Sequence, residues 1–170
     1  DHSADARPYF ADGTTEALIA ELARIRSLKV ISRTSAMRYR GSGLSTREIA
    51  AELGVEAVVE GSVLRAGDRV RVTAQLIEAA TDQHLWAESY ERDLTDILSL
   101  QGEVTRAIAR EIQVALTPLE EKRLAGGSPV DPEAYESYLM GQYHLKKETV
   151  EGARAASRHF QAAIDRDPDT

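Results

Sequence analysis

Residues 56–92, EAVVEGSVLRAGDRVRVTAQLIEAATDQHLWAESYER, decide the fold. Three runs of strand-forming residues, 56–65, 69–78 and 84–92, are joined by two short turn segments, AGDR and ATDQ. In the second run Val70, Val72, Ala74 and Leu76 alternate with Arg69, Arg71, Thr73 and Gln75. A period of two gives a strand one buried face and one wet face. In the third run His84, Trp86, Glu88 and Tyr90 share a side. Turns this short connect antiparallel neighbours, so the segment reads as a three-strand antiparallel meander.

Downstream, residues 96–117 carry Ile97, Leu100, Val104, Ile108, Ile112 and Leu116 at helical spacing, with charges on the remaining faces. Such a stripe packs a helix onto a sheet. Upstream, TTEALIAELARIR (14–26) has the same periodicity, with Asp12 and Thr14 as candidate N-caps. LKVIS (28–32) reads as a further strand. STREIAAELG (45–54) reads as a helix with Ser45 and Glu48 at capping-box spacing and Gly54 at the stop. The expected fold is α/β with α+β character: a mixed sheet containing the meander, packed by helices.

Periodicity lapses in PLEEKRLAGGSPVDP, which holds Gly126-Gly127, Pro129 and Pro132, so residues 118–132 read as a linker. Two helices follow, at 133–146 and 151–166. In the second, Ala156, Phe160, Ala163 and Pro168 stand at the spacings of the second helix of a tetratricopeptide repeat, and Met140-Gly141 falls where the first helix has its apolar-Gly pair. A single repeat cannot bury its own apolar face, so further repeats are expected in the intact protein. The organisation read from sequence is an α/β domain over 1–117, a linker over 118–132 and an all-α tetratricopeptide-type hairpin over 133–170.

The chain has 170 residues, 42% of them hydrophobic, which suits one domain with an appendage and a real core. Its net charge of −7 argues against a general nucleic-acid binder, which needs a basic surplus to neutralise phosphates. With no cysteine, disulfides, thiolate metal sites and cysteine nucleophiles are excluded. No apolar run approaches the roughly 20 residues of a membrane-spanning helix, so no membrane insertion is expected. Either the cytoplasm or the periplasmic side of an anchored parent remains compatible. The opening DHSADARPYF, without Met or signal peptide, reads as the cut end of something longer.

Several stretches resemble one family: YFADGTTEALIAEL, LKVISRTSAMRYRGSG, ELGVEAVVEGSVLRAGDRVRVTAQLIEAATDQHLWAESYERDLTDIL and VDPEAYESYLMGQYHL. Together they are similar to the TolB amino-terminal-like domain, and to the FlgO-like domain, running into tetratricopeptide repeats. The resemblance implies an α/β domain with a non-catalytic accessory role in sensing or protein contact. It further implies a parent with an adenylate or guanylate cyclase domain, a winged-helix regulator or a protein kinase. Family members begin with an apolar strand ahead of the YFADG segment, where this chain has DHSADAR and no apolar run before Pro8. An open strand edge would then be left for a partner or a second copy.

No catalytic, cofactor or metal motif stands out. RTSAMRYRGSGLS (33–45) offers Arg33, Arg38 and Arg40 with the helix start at Ser45, which could hold an anion such as a nucleotide phosphate. GSG is neither a P-loop nor a dinucleotide fingerprint, and Ser45 already serves as a cap. The stretch therefore reads first as a connection, second as a ligand sensor. His84, Trp86 and Tyr90 read as core beneath a helix rather than as pocket walls. Asp165, Asp167 and Asp169 resemble the start of a calcium loop, but Pro168 breaks it. The expected protein contacts are Arg69, Arg71 and Gln75 on the polar face of the meander. On the helical hairpin they are Tyr135, Leu139, Phe160 and Ile164.

Overall fold

A computed structural model describes residues 8–168. The apolar strand that the family places before the YFADG segment, and Asp169 of the calcium-like run, lie outside the described residues. The meander is present. β1 (Ala57–Ala66), β2 (Arg69–Glu78) and β3 (Gln83–Asp93) form an antiparallel sheet in the order β1-β2-β3. The β1–β2 turn is two residues, Gly67-Asp68, between the Ala66–Arg69 pair, with Gly67 at φ 59°. Such a turn needs positive φ to match the strand twist, and glycine adopts it without a Cβ clash. In β3 the register slips between Leu76, opposite Trp86, and Ile77, opposite His84, so Leu85 is an extra residue. The slip makes a bulge, which adds local twist.

The alternation of β2 fixes its faces as the sequence requires: Val70, Val72, Ala74 and Leu76 are buried, and Arg69, Arg71 and Thr73 are exposed. Tyr90, opposite Val72, is buried too. A short 3-10 turn, Leu94–Asp96, leads into α4 (Ile97–Glu111). The α4 stripe of Ile97, Leu100, Val104 and Ile108 lies in the same core as the inner face of the sheet. α1 (Pro8–Ala23) opens at Pro8, a residue tolerated in the first helical turn. It starts earlier than its periodicity suggests, so Thr14 is a fully buried helix residue and not a cap. Phe10 and Leu22 of α1, and Ile25 beyond it, complete the core.

Three stretches differ from expectation: residues 28–32, the end of the long helix, and residues 118–125, which are helix where a linker was expected. Leu28–Ser32 joins no sheet among the described residues, so the sheet is purely antiparallel and not mixed. It leads instead to the five-residue α2 (Arg33–Met37), which Ser32 caps by accepting from the Ser35 amide. The long helix stops at Glu111, because Gln113 turns to φ 58° and the chain folds back. Residues 118–125 then form α5 (Pro118–Ala125), opened by a capping box between Thr117 and Glu120. α3 (Thr46–Leu53) has its expected box between Ser45 and Glu48, and Gly54 ends it at φ 66°. The helical hairpin is α6 (Pro132–Leu145) and α7 (Val150–Arg166), capped by Asp131 and Thr149.

Candidate functional site

The arginine-rich stretch does not converge on a ligand position. Arg33 and Arg40 both turn to Asp12 of α1, each 3.2 Å from a different carboxylate oxygen. The N-terminus of α3 is likewise occupied from within. The Glu48 carboxylate accepts from the Ser45 amide at 2.8 Å and the Ser45 hydroxyl at 2.7 Å. Those bonds hold the Glu48 carboxyl below the usual carboxylate range. The positive features that would attract a phosphate, two arginines and a helix start, are thus met by two carboxylates of the chain itself. Of the three arginines only Arg38 stays away from Asp12: its backbone caps α2. The geometry is that of a connection pinned to α1.

The polar face of the meander carries an ordered row of charge. Arg69 reaches Glu91 and Asp93 at 3.0 Å each, and Arg71 reaches Glu91 at 2.8 Å. Register explains this, since Arg71 lies opposite Glu91 and Arg69 opposite Asp93. Thr73 and Ser89 pair hydroxyls at 3.3 Å, and Gln75 donates to Glu60 at 3.1 Å. Arg69, Arg71 and Gln75 therefore stand together on one open surface, as expected, though each is already engaged across strands. On the opposite face Tyr90 donates to Glu88, and burial foremost pushes its hydroxyl pKa up. Trp86 packs against the core cluster with Tyr90 at 6.4 Å between rings, while His84 is exposed.

The four hairpin residues separate into two pairs. Tyr135 and Leu139 do not face outward; they are 3% and 2% exposed. The Tyr135 ring meets Phe10 edge-on, and its hydroxyl accepts from Gln101 Nε2 at 3.0 Å. Burial, the foremost cause, raises that hydroxyl's pKa to about 12. Leu139 sits over Gly13, where any Cβ would strike its methyl group. α6 is thus part of the core, and these two residues cannot serve an adjacent repeat. Phe160 lies between Gly141 and Tyr138; its ring is 2.5 Å from where a Gly141 Cβ would stand. Ile164 is 55% exposed, and with Tyr138, Leu145 and Val150 it leaves apolar surface on the outer hairpin.

Further seams bind α6 to the rest. Tyr9 donates to Glu136, and Arg65 of β1 pairs with the same carboxylate at 3.0 Å. Lys146 pairs with Glu16 of α1. Sequence reasoning missed three arrangements. One is the parallel stack of His144 on His159, 5.3 Å between rings, which fastens α6 to α7. Another is Glu120, a buried carboxylate of α5. The third is the pair Arg106 and Arg110 on α4. Their one-turn spacing was visible, but nothing in the sequence shows which arginines the fold leaves without carboxylates. Among the described residues no three His, Asp or Glu side chains gather as a metal site, and no helix is long and apolar enough to cross a membrane.

No family model matches the chain. The chain is similar to a protein of Rhizobium meliloti (strain 1021) named "Putative adenylate cyclase 3", with 41% identity over 160 residues. That alignment covers 94% of this chain and 27% of the relative. The chain therefore corresponds to one segment of a much longer, cyclase-named protein.

Proposed function

We propose that this chain is a non-catalytic accessory module of a larger cyclase-type protein, a TolB amino-terminal-like domain closed by a tetratricopeptide-type hairpin, and that it works by contacting protein. The observation that carries this reading is the match of nearly the whole chain to about a quarter of a cyclase-named relative. Two surfaces suit protein contact. One is the charged face of the meander, with Arg69, Arg71 and Gln75. The other is the outer face of α6 and α7, with Tyr138, Phe160 and Ile164, where apolar side chains at helical spacing offer a groove to another helix. The sensor reading of Arg33–Ser45 gains nothing from the geometry, since Asp12 and Glu48 already meet its cations and its helix start.

The test has two arms. The purified chain, given ATP and Mg²⁺, should form no cyclic nucleotide above a no-protein control. Excising the matching segment from the longer relative should leave whatever nucleotide turnover that protein shows in place, while changing its response to partners. Cyclic nucleotide made by the chain alone, or turnover abolished by the excision with the remainder still folded, would overturn the reading.

A further inference from the structure

The chain reversal after α4 leaves an open cleft of about 230 Å³, lined by Arg106, Arg110, Val114, Leu116 and Glu121. Arg106 and Arg110 are one turn apart and so share a face of α4, where two like charges repel. Several arginines of the fold have carboxylates: Arg65 has Glu136, Arg92 has Glu103, and Arg123 has Glu21. Neither Arg106 nor Arg110 has an ion pair among the described residues, in a chain that carries 28 carboxylate side chains against 21 Lys and Arg. Arg110 lies in the last turn, where the negative end of the helix dipole favours a cation; Arg106 is a turn too early for that help. The Arg106 Nε, like Arg33 Nε and Arg123 Nη2, is buried with no hydrogen-bond acceptor among the described residues, a condition that folded proteins avoid.

We propose that this cleft binds a small carboxylate carrying a short apolar group. Two guanidinium forks match the planar, two-oxygen geometry of a carboxylate. Val114 and Leu116 supply apolar wall for the attached carbons. Pockets for drug-sized ligands run roughly 300–1,000 Å³; this one is smaller, which suits a small ligand better than a nucleotide. Glu121 adds negative charge at the lining and so disfavours a doubly charged phosphate over a single carboxylate. The proposal is independent of the accessory-module reading and of its two contact surfaces.

The test uses the whole chain with sodium butyrate as probe, against sodium phosphate and sodium chloride at matched ionic strength. Butyrate should raise the melting temperature saturably and shift backbone amide resonances between residues 106 and 121. Arg110→Gln, at an exposed position, should weaken binding at least tenfold while the ligand-free chain still melts in a single cooperative transition. Arg106→Gln should do the same, and Arg110→Lys, which keeps charge but loses the fork, should fall between. A response no greater than that to chloride overturns the proposal, as does an equal response in Arg110→Gln. A saturable response to phosphate and not to butyrate overturns the carboxylate assignment.

Discussion

Glu120 belongs to a residue type that sequence arguments leave on the surface, yet it is 6% exposed. What keeps it there is a set of donors. The Thr117 amide and hydroxyl reach Oε2 at 2.7 and 2.8 Å, and the Arg26 amide, 94 residues away in sequence, reaches Oε1 at 3.0 Å. The backbone bonds to Thr117 and Arg26, with the Thr117 hydroxyl, hold the carboxyl at about 2, against an ordinary 4.5. A depressed folded-state value means the ionised form is favoured by folding. The contribution is complete above the unfolded value and fades as pH falls from 4.5 towards 2. Glu120→Gln should therefore melt below the native chain at neutral pH, with a gap that narrows across that window. A gap equal at pH 7 and pH 2.5 would mean that shape, not charge, is what the site requires. The signal was in the sequence, as Thr117 and Glu120 stand at capping-box spacing beside Pro118. The partner at Arg26 was not, because nothing local points across 94 residues.

At the level of elements, α4 and α5 cross closely at Gly102. A methyl there would overlap the Leu124 carbonyl oxygen. In an open helix, Gly→Ala gains about 0.5–1 kcal/mol. Here the overlapping atom is backbone, so the sign reverses and Gly102→Ala should cost about 1–3 kcal/mol, as overpacking does. Urea unfolding would read it; a stabilised variant would show that α5 is free to slide off α4. The same crossing explains which elements were legible. The meander was read correctly because alternation, turn residues and short loops all agree. α7 and the α3 cap were read for similar reasons. Ile112 and Leu116 continue the helical stripe past the true end of α4, where Gln113 at positive φ closes the helix locally: its amide donates to the Arg110 carbonyl and the Val114 amide to the Ala109 carbonyl. LKVIS has the composition of a strand but no pairing partner among the described residues, and strand propensity alone cannot supply one. Tyr135 and Leu139 are core and not contact surface, a distinction helical spacing cannot make: it shows that a face is apolar, not what covers it.

For the whole molecule, the question is whether the α6–α7 hairpin is an appendage or part of the core. Its first helix is tied to every layer. Tyr135 meets Phe10 of α1 and Gln101 of α4, Glu136 meets Arg65 of β1, and the Val130 amide donates to the Thr95 carbonyl at 2.9 Å. Truncating a buried leucine to alanine costs about 2–5 kcal/mol. If α6 were a separately folding unit, Leu139→Ala would weaken only the hairpin and leave the sheet's transition in place. With α6 in the common core, the loss is felt by everything packed on it. Scanning calorimetry should show one transition in the native chain, its calorimetric and van't Hoff enthalpies equal. In Leu139→Ala that single transition should move down whole. Two resolved transitions, with only one shifted by the substitution, would restore the hairpin as an independent unit. They would also place the boundary in the segment from 118 to 132, where composition alone puts it.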